Sequence, residues 1–98
     1  MVDNMDAELI AEGREYLDDF SFTEMLIWRV PAPVRGSDHD FKYSLAYVEH
    51  NVCVLRFDNE AGKGDHRHQG DDDRPYTFTT LETLIADFDA AVEEWRSK

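Results

Sequence analysis

This chain of 98 residues is short of cysteine, of long apolar runs and of basic charge, and each shortage removes a class of answer. The single cysteine, Cys53, excludes an intrachain disulfide and a cysteine-based zinc site; its place in the apolar run Val52-Cys53-Val54-Leu55 reads as a small buried side chain. No stretch approaches the roughly 18 apolar residues of a membrane-spanning helix. The opening Met1-Val2-Asp3-Asn4-Met5-Asp6 has neither the basic start nor the apolar core of a secretion signal, so the expected location is the cytoplasm. Three lysines and seven arginines stand against 22 acidic residues, a net charge of −12. Taken as a total, that charge repels phosphate. It has two readings: an acidic surface shaped for a protein partner, or adaptation to a salt-rich cytosol. The second is favoured. Near 1 M salt the screening length falls to about 3 Å, so local basic groups say more about partners than the sum does.

What remains suffices for one folded domain, 1–98. With 42% hydrophobic and 12% aromatic residues the chain can build a single modest core. Periodicity leaves residues 8–17 open between helix and strand; the turn-forming Asp18-Asp19-Phe20-Ser21 before the β-rich Phe22–Val30 favours a strand hairpin. Pro31-Ala32-Pro33 ends that strand, and Val34–Asp40 is a loop. The clearest hairpin is Lys42–Val48 with Val52–Asp58. A three-residue connection, Glu49-His50-Asn51, pairs Val48 with Val52, Ala46 with Val54, Ser44 with Arg56 and Lys42 with Asp58. Tyr43, Leu45, Tyr47, Leu55 and Phe57 then share an apolar face. Gln69–Arg74 reads as an acidic surface loop, and Pro75-Tyr76-Thr77-Phe78 as a short edge strand beginning at its proline. Thr79-Thr80-Leu81-Glu82 matches a capping box with Thr79 as N-cap. Leu81, Leu84, Ile85, Phe88, Val92 and Trp95 follow as one helical stripe. The expected fold is α+β: an antiparallel sheet of four to six strands with the C-terminal amphipathic helix packed on one face.

The polar face of the hairpin leads straight into an unusual string. Arg56-Phe57-Asp58-Asn59-Glu60 runs into Gly62-Lys63-Gly64-Asp65-His66-Arg67-His68, and two imidazoles two residues apart project from the same side of a strand. The glycines permit a tight or positive-φ turn and close approach of backbone to a ligand. The string lacks the Gly-x-x-x-x-Gly-Lys-Ser/Thr pattern of a nucleoside-triphosphate loop.

These stretches, with Lys42-Tyr43-Ser44-Leu45-Ala46-Tyr47-Val48, Pro75-Tyr76-Thr77-Phe78 and Trp28-Arg29-Val30-Pro31, resemble the TumE-like family of small prokaryotic toxins over most of the chain. The resemblance implies an RNA-directed growth inhibitor, with a helix-turn-helix antitoxin as its partner. It assigns no catalytic residues.

Chemistry assigns candidates instead. Metal-independent RNA cleavage requires a base for the 2′-hydroxyl, an acid for the leaving 5′-oxygen, and cations for the charge growing on phosphate. His66 and His68 suit acid and base, with Arg56 and Lys63 beside them as catalytic cations. Lys42, Arg67 and Ser44 suit substrate binding, Arg by its bidentate fork. Asp58 or Asp65 suits orienting a histidine. On this reading no cofactor or metal is needed. Two others stand beside it: a salt-bridge network of Lys42, Arg56 and Asp58 with the histidines merely exposed, and a metal held by His66, His68 and Asp58 or Asp65, which Arg67 and Lys63 oppose. His39 and His50 fall in loops and are left out. The competing function is a non-catalytic acidic binding protein that recruits a protein partner through an exposed strand edge.

Overall fold

The computed structural model describes residues 6–98; the opening segment read for a secretion signal lies outside them except for Asp6. Six strands run β1 (Glu8–Asp18), β2 (Ser21–Arg29), β3 (Phe41–Glu49), β4 (Val52–Glu60), β5 (Gly64–Gln69) and β6 (Asp72–Pro75), followed by one helix, α1 (Leu81–Arg96). Each strand pairs antiparallel with the next in a single sheet of order β1-β2-β3-β4-β5-β6. The ambiguous first segment is therefore a strand. Asp18 secures its turn by accepting a hydrogen bond from the Phe20 N–H at 2.8 Å, the local bonding that suits Asp to turns.

Alternation builds the core. Ile27, Tyr43, Leu45, Tyr47, Leu55 and Phe57 point to one face of the sheet, where the helix buries Leu84, Phe88, Ala91 and Val92 against them. Phe57 and Phe88 meet edge to face at 5.6 Å. The far end of the helix is tied by Arg96, which donates to Ser21 Oγ at 2.8 Å and Tyr47 OH at 3.0 Å, and by Trp95 Nε1–H to Glu49 Oε1 at 3.2 Å. Among the described residues no helix is long and apolar enough to cross a membrane.

Several local expectations change. The β3–β4 turn has two residues, His50 and Asn51, both at positive φ (48° and 66°), with Glu49 opposite Val52. Two positive-φ residues are the mark of the tight turn whose twist matches a hairpin. A register shift at Tyr47/Val48 then places Tyr47 opposite Leu55, so Ser44 faces Asp58 and Ala46 faces Arg56. The offset from the expected pairing is two residues, an even number, so every side chain keeps its face. Cys53, beside the irregularity, is exposed rather than buried. The N-cap is Thr80, one residue later than expected, its hydroxyl accepting from the Thr83 N–H at 3.0 Å. Finally, residues 69–74 are not a loop. Gln69 pairs with Asp72 across a two-residue turn with Gly70 at φ 59°, and the last strand ends at Pro75 instead of beginning there, the Tyr76 N–H making one more bond to Asp65 O at 3.0 Å.

Candidate functional site

With the helix covering one face, the other face of the sheet is open, and the ladder decides what stands on it. Asp58 pairs with His66 and Arg56 with His68 across β4 and β5, while Ser44 pairs with Asp58 and Lys42 with Trp28. Because Tyr43, Leu45, Leu55 and Phe57 turn to the helix, Lys42, Ser44, Arg56, Asp58, His66 and His68 all turn away from it. Directly opposed residues in a ladder lie about 4.5–5.5 Å apart at the backbone. Both imidazoles are therefore neighbours of the Arg56–Asp58 pair of positions. Among the described residues neither Lys42 nor Arg56 forms an ion pair, which leaves both cations available.

The two histidines differ in kind. His66 Nδ1 lies 2.9 Å from Asp73 Oδ1, and its Nε2 lies 2.8 Å from the Lys63 carbonyl oxygen. Both neighbours only accept hydrogen bonds, so both ring nitrogens are best protonated. The Asp73 bond accordingly pushes the His66 pKa up, and the same bond holds the Asp73 carboxyl below its usual range. His68 has looser company: Nε2 is 3.7 Å from Asp58 Oδ1 and Nδ1 is 3.6 Å from Asp73 Oδ1, and its side chain is 34% exposed. Neither distance is a hydrogen bond. His68 thus keeps a nitrogen free for another molecule. Burial pushes the Asp58 carboxyl up, with His68 and Arg56 pulling it the other way. Lys63 Nζ stands 3.6 Å from Asp73 Oδ2 at the mouth of the cluster, and the two imidazole rings are 6.2 Å apart.

Two expected members are elsewhere. Arg67 pairs with Phe57, so it points to the helix side, its guanidinium over the Phe57 ring at 5.3 Å and bonded to Gln69 Oε1 at 3.0 Å. Asp65 also points away from His66 and His68. It accepts from Ser37 Oγ–H at 2.5 Å, Tyr43 O–H at 2.7 Å and His39 Nε2–H at 2.7 Å, with its side chain only 8% exposed. Burial, and then this bond, push the Tyr43 phenol up. The Phe41 N–H donates to His39 Nδ1 at 3.2 Å, which places a ring proton on Nε2, and the imidazole stacks on Phe78 at 3.8 Å. This buried cluster pins the β2–β3 loop to β5. The glycines serve the same junction: a Cβ on Gly64 would stand 2.6 Å from the Gly36 carbonyl oxygen, and Gly62 N–H donates to Arg35 O at 2.6 Å. The close approach is between two stretches of this chain.

Asp73, which bonds one histidine and flanks the other, has no counterpart in the sequence reading. The signal was Gly70: a turn there folds 72–75 back onto the histidines, whereas a loop leaves Asp73 in solvent. His39 lies in the β2–β3 loop, as expected, yet its ring packs against the sheet. Among the described residues no three side chains of His, Cys, Asp or Glu converge as metal ligands.

A family model described as Toxin TumE matches residues 4–96. No curated protein and no solved structure is matched.

Proposed function

The chain belongs to the TumE toxin family, which supports its being the toxin of a toxin–antitoxin pair, and from the site on its open face we propose that it cleaves RNA without a metal. One observation carries this reading: the β4–β5 ladder sets the imidazole of His68 against Arg56, a guanidinium without an ion pair among the described residues, with a second imidazole, His66, one register step away. Arg56, Lys63 and Lys42 bind the phosphate and neutralise the charge that develops on it. His68 takes the 2′-hydroxyl proton, and that oxygen attacks phosphorus. His66, whose two acceptors favour its protonated form, gives a proton to the departing 5′-oxygen after releasing one of them. Asp58 and Asp73 flank the His68 ring at 3.7 and 3.6 Å and favour the imidazolium that forms when it takes the proton, and Ser44 supplies a hydroxyl beside Asp58. The antitoxin, in this reading a helix-turn-helix protein, covers this face and keeps RNA off it.

The purified chain should cut single-stranded RNA in EDTA, leaving 2′,3′-cyclic phosphate ends. His68→Ala should stop cleavage with the circular dichroism spectrum unchanged. Cleavage that requires a divalent ion, or that survives His68→Ala, would overturn the mechanism. The competing reading, recruitment of a protein partner, draws on the outermost strand β1, where Leu9, Ile10 and Tyr16 are exposed. An RNA-inert chain that still binds its antitoxin would favour it.

A further inference from the structure

Next to the histidines the open face is hollow. Ala46 and Ser44 on the central strand β3 are small, and the residues opposite them on β2 and β4 are long: Glu24 and Arg56 beside Ala46, Leu26 and Asp58 beside Ser44. Short side chains between long ones make a depression. Its volume is about 440 Å³, its floor is Ala46 and Ser44, and Leu26, Glu12, Arg14, Glu24 and Arg56 stand around it. Ala46 is 5% exposed yet lies outside the core cluster, so it is covered from this side.

The rim is chemically divided. Arg56 stands between the cleft and His68, so the phosphate site and the hollow share a wall. At the opposite wall Arg14 is bound to Glu24, which neutralises both. Glu12, opposite Leu26, makes no ion pair among the described residues. From Glu12 on β1 to Arg56 on β4 is three strand spacings across and two residues along, about 16 Å at the backbone. Two extended side chains and one nucleotide bridge that gap. A carboxylate only accepts hydrogen bonds and repels phosphate, so the far wall faces a base rather than a second phosphate. Guanine is the base with two adjacent N–H donors, N1–H and N2–H, matched to one carboxylate. Adenine and cytosine set an acceptor nitrogen beside their amino group, and uracil has one N–H between two carbonyls. In a duplex the guanine donors are already paired, so the guanine must be unpaired.

We propose that this cleft is a nucleobase site, which seats an unpaired guanine of single-stranded RNA over Ala46 and Leu26 with Glu12 accepting from N1–H and N2–H. It rests on the reading of the neighbouring site as an RNA site, and it adds the substrate's base.

Anisotropy titrations of the full chain against labelled 2′-O-methyl oligouridylates test it, each oligomer carrying one 2′-O-methylguanosine or one 2′-O-methylinosine so that no linkage can be cleaved. Inosine lacks only the N2 amino group. The guanine oligomer should bind about ten- to a hundredfold tighter, the span of one hydrogen bond to a charged group. Glu12→Gln should bind the two oligomers alike, and Ala46→Leu, which fills the floor, should weaken both to the level of plain oligouridylate. Equal binding of guanine and inosine by the unaltered chain would overturn the base site and leave the phosphate site standing. Discrimination that persists in Glu12→Gln would remove the proposed contact. A chain that binds none of the oligomers would sink the RNA reading and this site with it.

Discussion

His68 faces Arg56 across the β4–β5 ladder, while Arg67, the residue before it, lies over Phe57 on the opposite side of the sheet. Two arginines of one short segment therefore have opposite duties. Arg56→Ala should abolish RNA cleavage and leave the thermal midpoint nearly unchanged, since exposed substitutions usually fall within about 0.5 kcal/mol. Arg67→Ala should leave the cleavage rate at saturating RNA intact and lower the midpoint, because the Phe57 contact is lost. The reverse pattern would mean that the chemistry lies on the helix side.

The His66–Asp73 bond makes a pH prediction. The bond to Asp73 raises the His66 pKa above its ordinary 6.5, so the stability it contributes is complete below 6.5 and is lost as pH rises through the raised value. Asp73, held below its ordinary 3.8, stays ionised throughout that range. Asp73→Asn should bring the His66 titration, followed by NMR of the ring protons, back toward 6.5. The stability gap between the two proteins should be wider near about pH 5.5 than near about pH 8.5. A gap that widens toward alkaline pH would contradict the protonated state assigned to His66.

Gly64 and Gly13 should answer substitution in opposite ways. A Cβ on Gly64 meets the Gly36 backbone at 2.6 Å and φ is +77°, whereas a Cβ on Gly13 meets nothing within 4 Å. Gly64→Ala should cost at least about 1–3 kcal/mol in chemical denaturation, the scale of a strained backbone position. Gly13→Ala should be neutral or gain up to about 1 kcal/mol by restricting the unfolded chain. If Gly64→Ala is as mild as Gly13→Ala, the contact between the β2–β3 loop and β5 is not a fixed part of the fold.

Charge bears on stability as a whole. A net −12 on 98 residues repels itself in dilute buffer, and salt screens that repulsion. The melting temperature should rise steeply between low and molar KCl if the acidic excess is an adaptation to salt. A flat profile would leave the acidic residues to be explained by a partner.

Where side chains point along a strand depends on counting by two, and that much was legible in the residues. Tyr43, Leu45, Tyr47, Leu55 and Phe57 read as a core face and form one, and the stripe Leu84, Phe88 and Val92 reads as the helical face that covers it. The same counting set Lys42, Ser44, Arg56 and Asp58 on the opposite face and His66 beside His68. It survived a wrong register, because the two-residue turn at His50-Asn51 and the irregularity at Tyr47/Val48 together shift the pairing by two. Counting by two also puts Asp65 and Arg67 on the face opposite His66, a consequence overshadowed by their nearness in sequence. Tertiary structure alone decided which distant groups arrive. The turn at Gly70 brings Asp73 to the histidines, and the approach of Gly36 to Gly64 brings His39 and Ser37 to Asp65. The physical reason is range: the pleat fixes direction residue by residue, whereas a partner many residues away is chosen by the path of the intervening turn and by the packing that holds it.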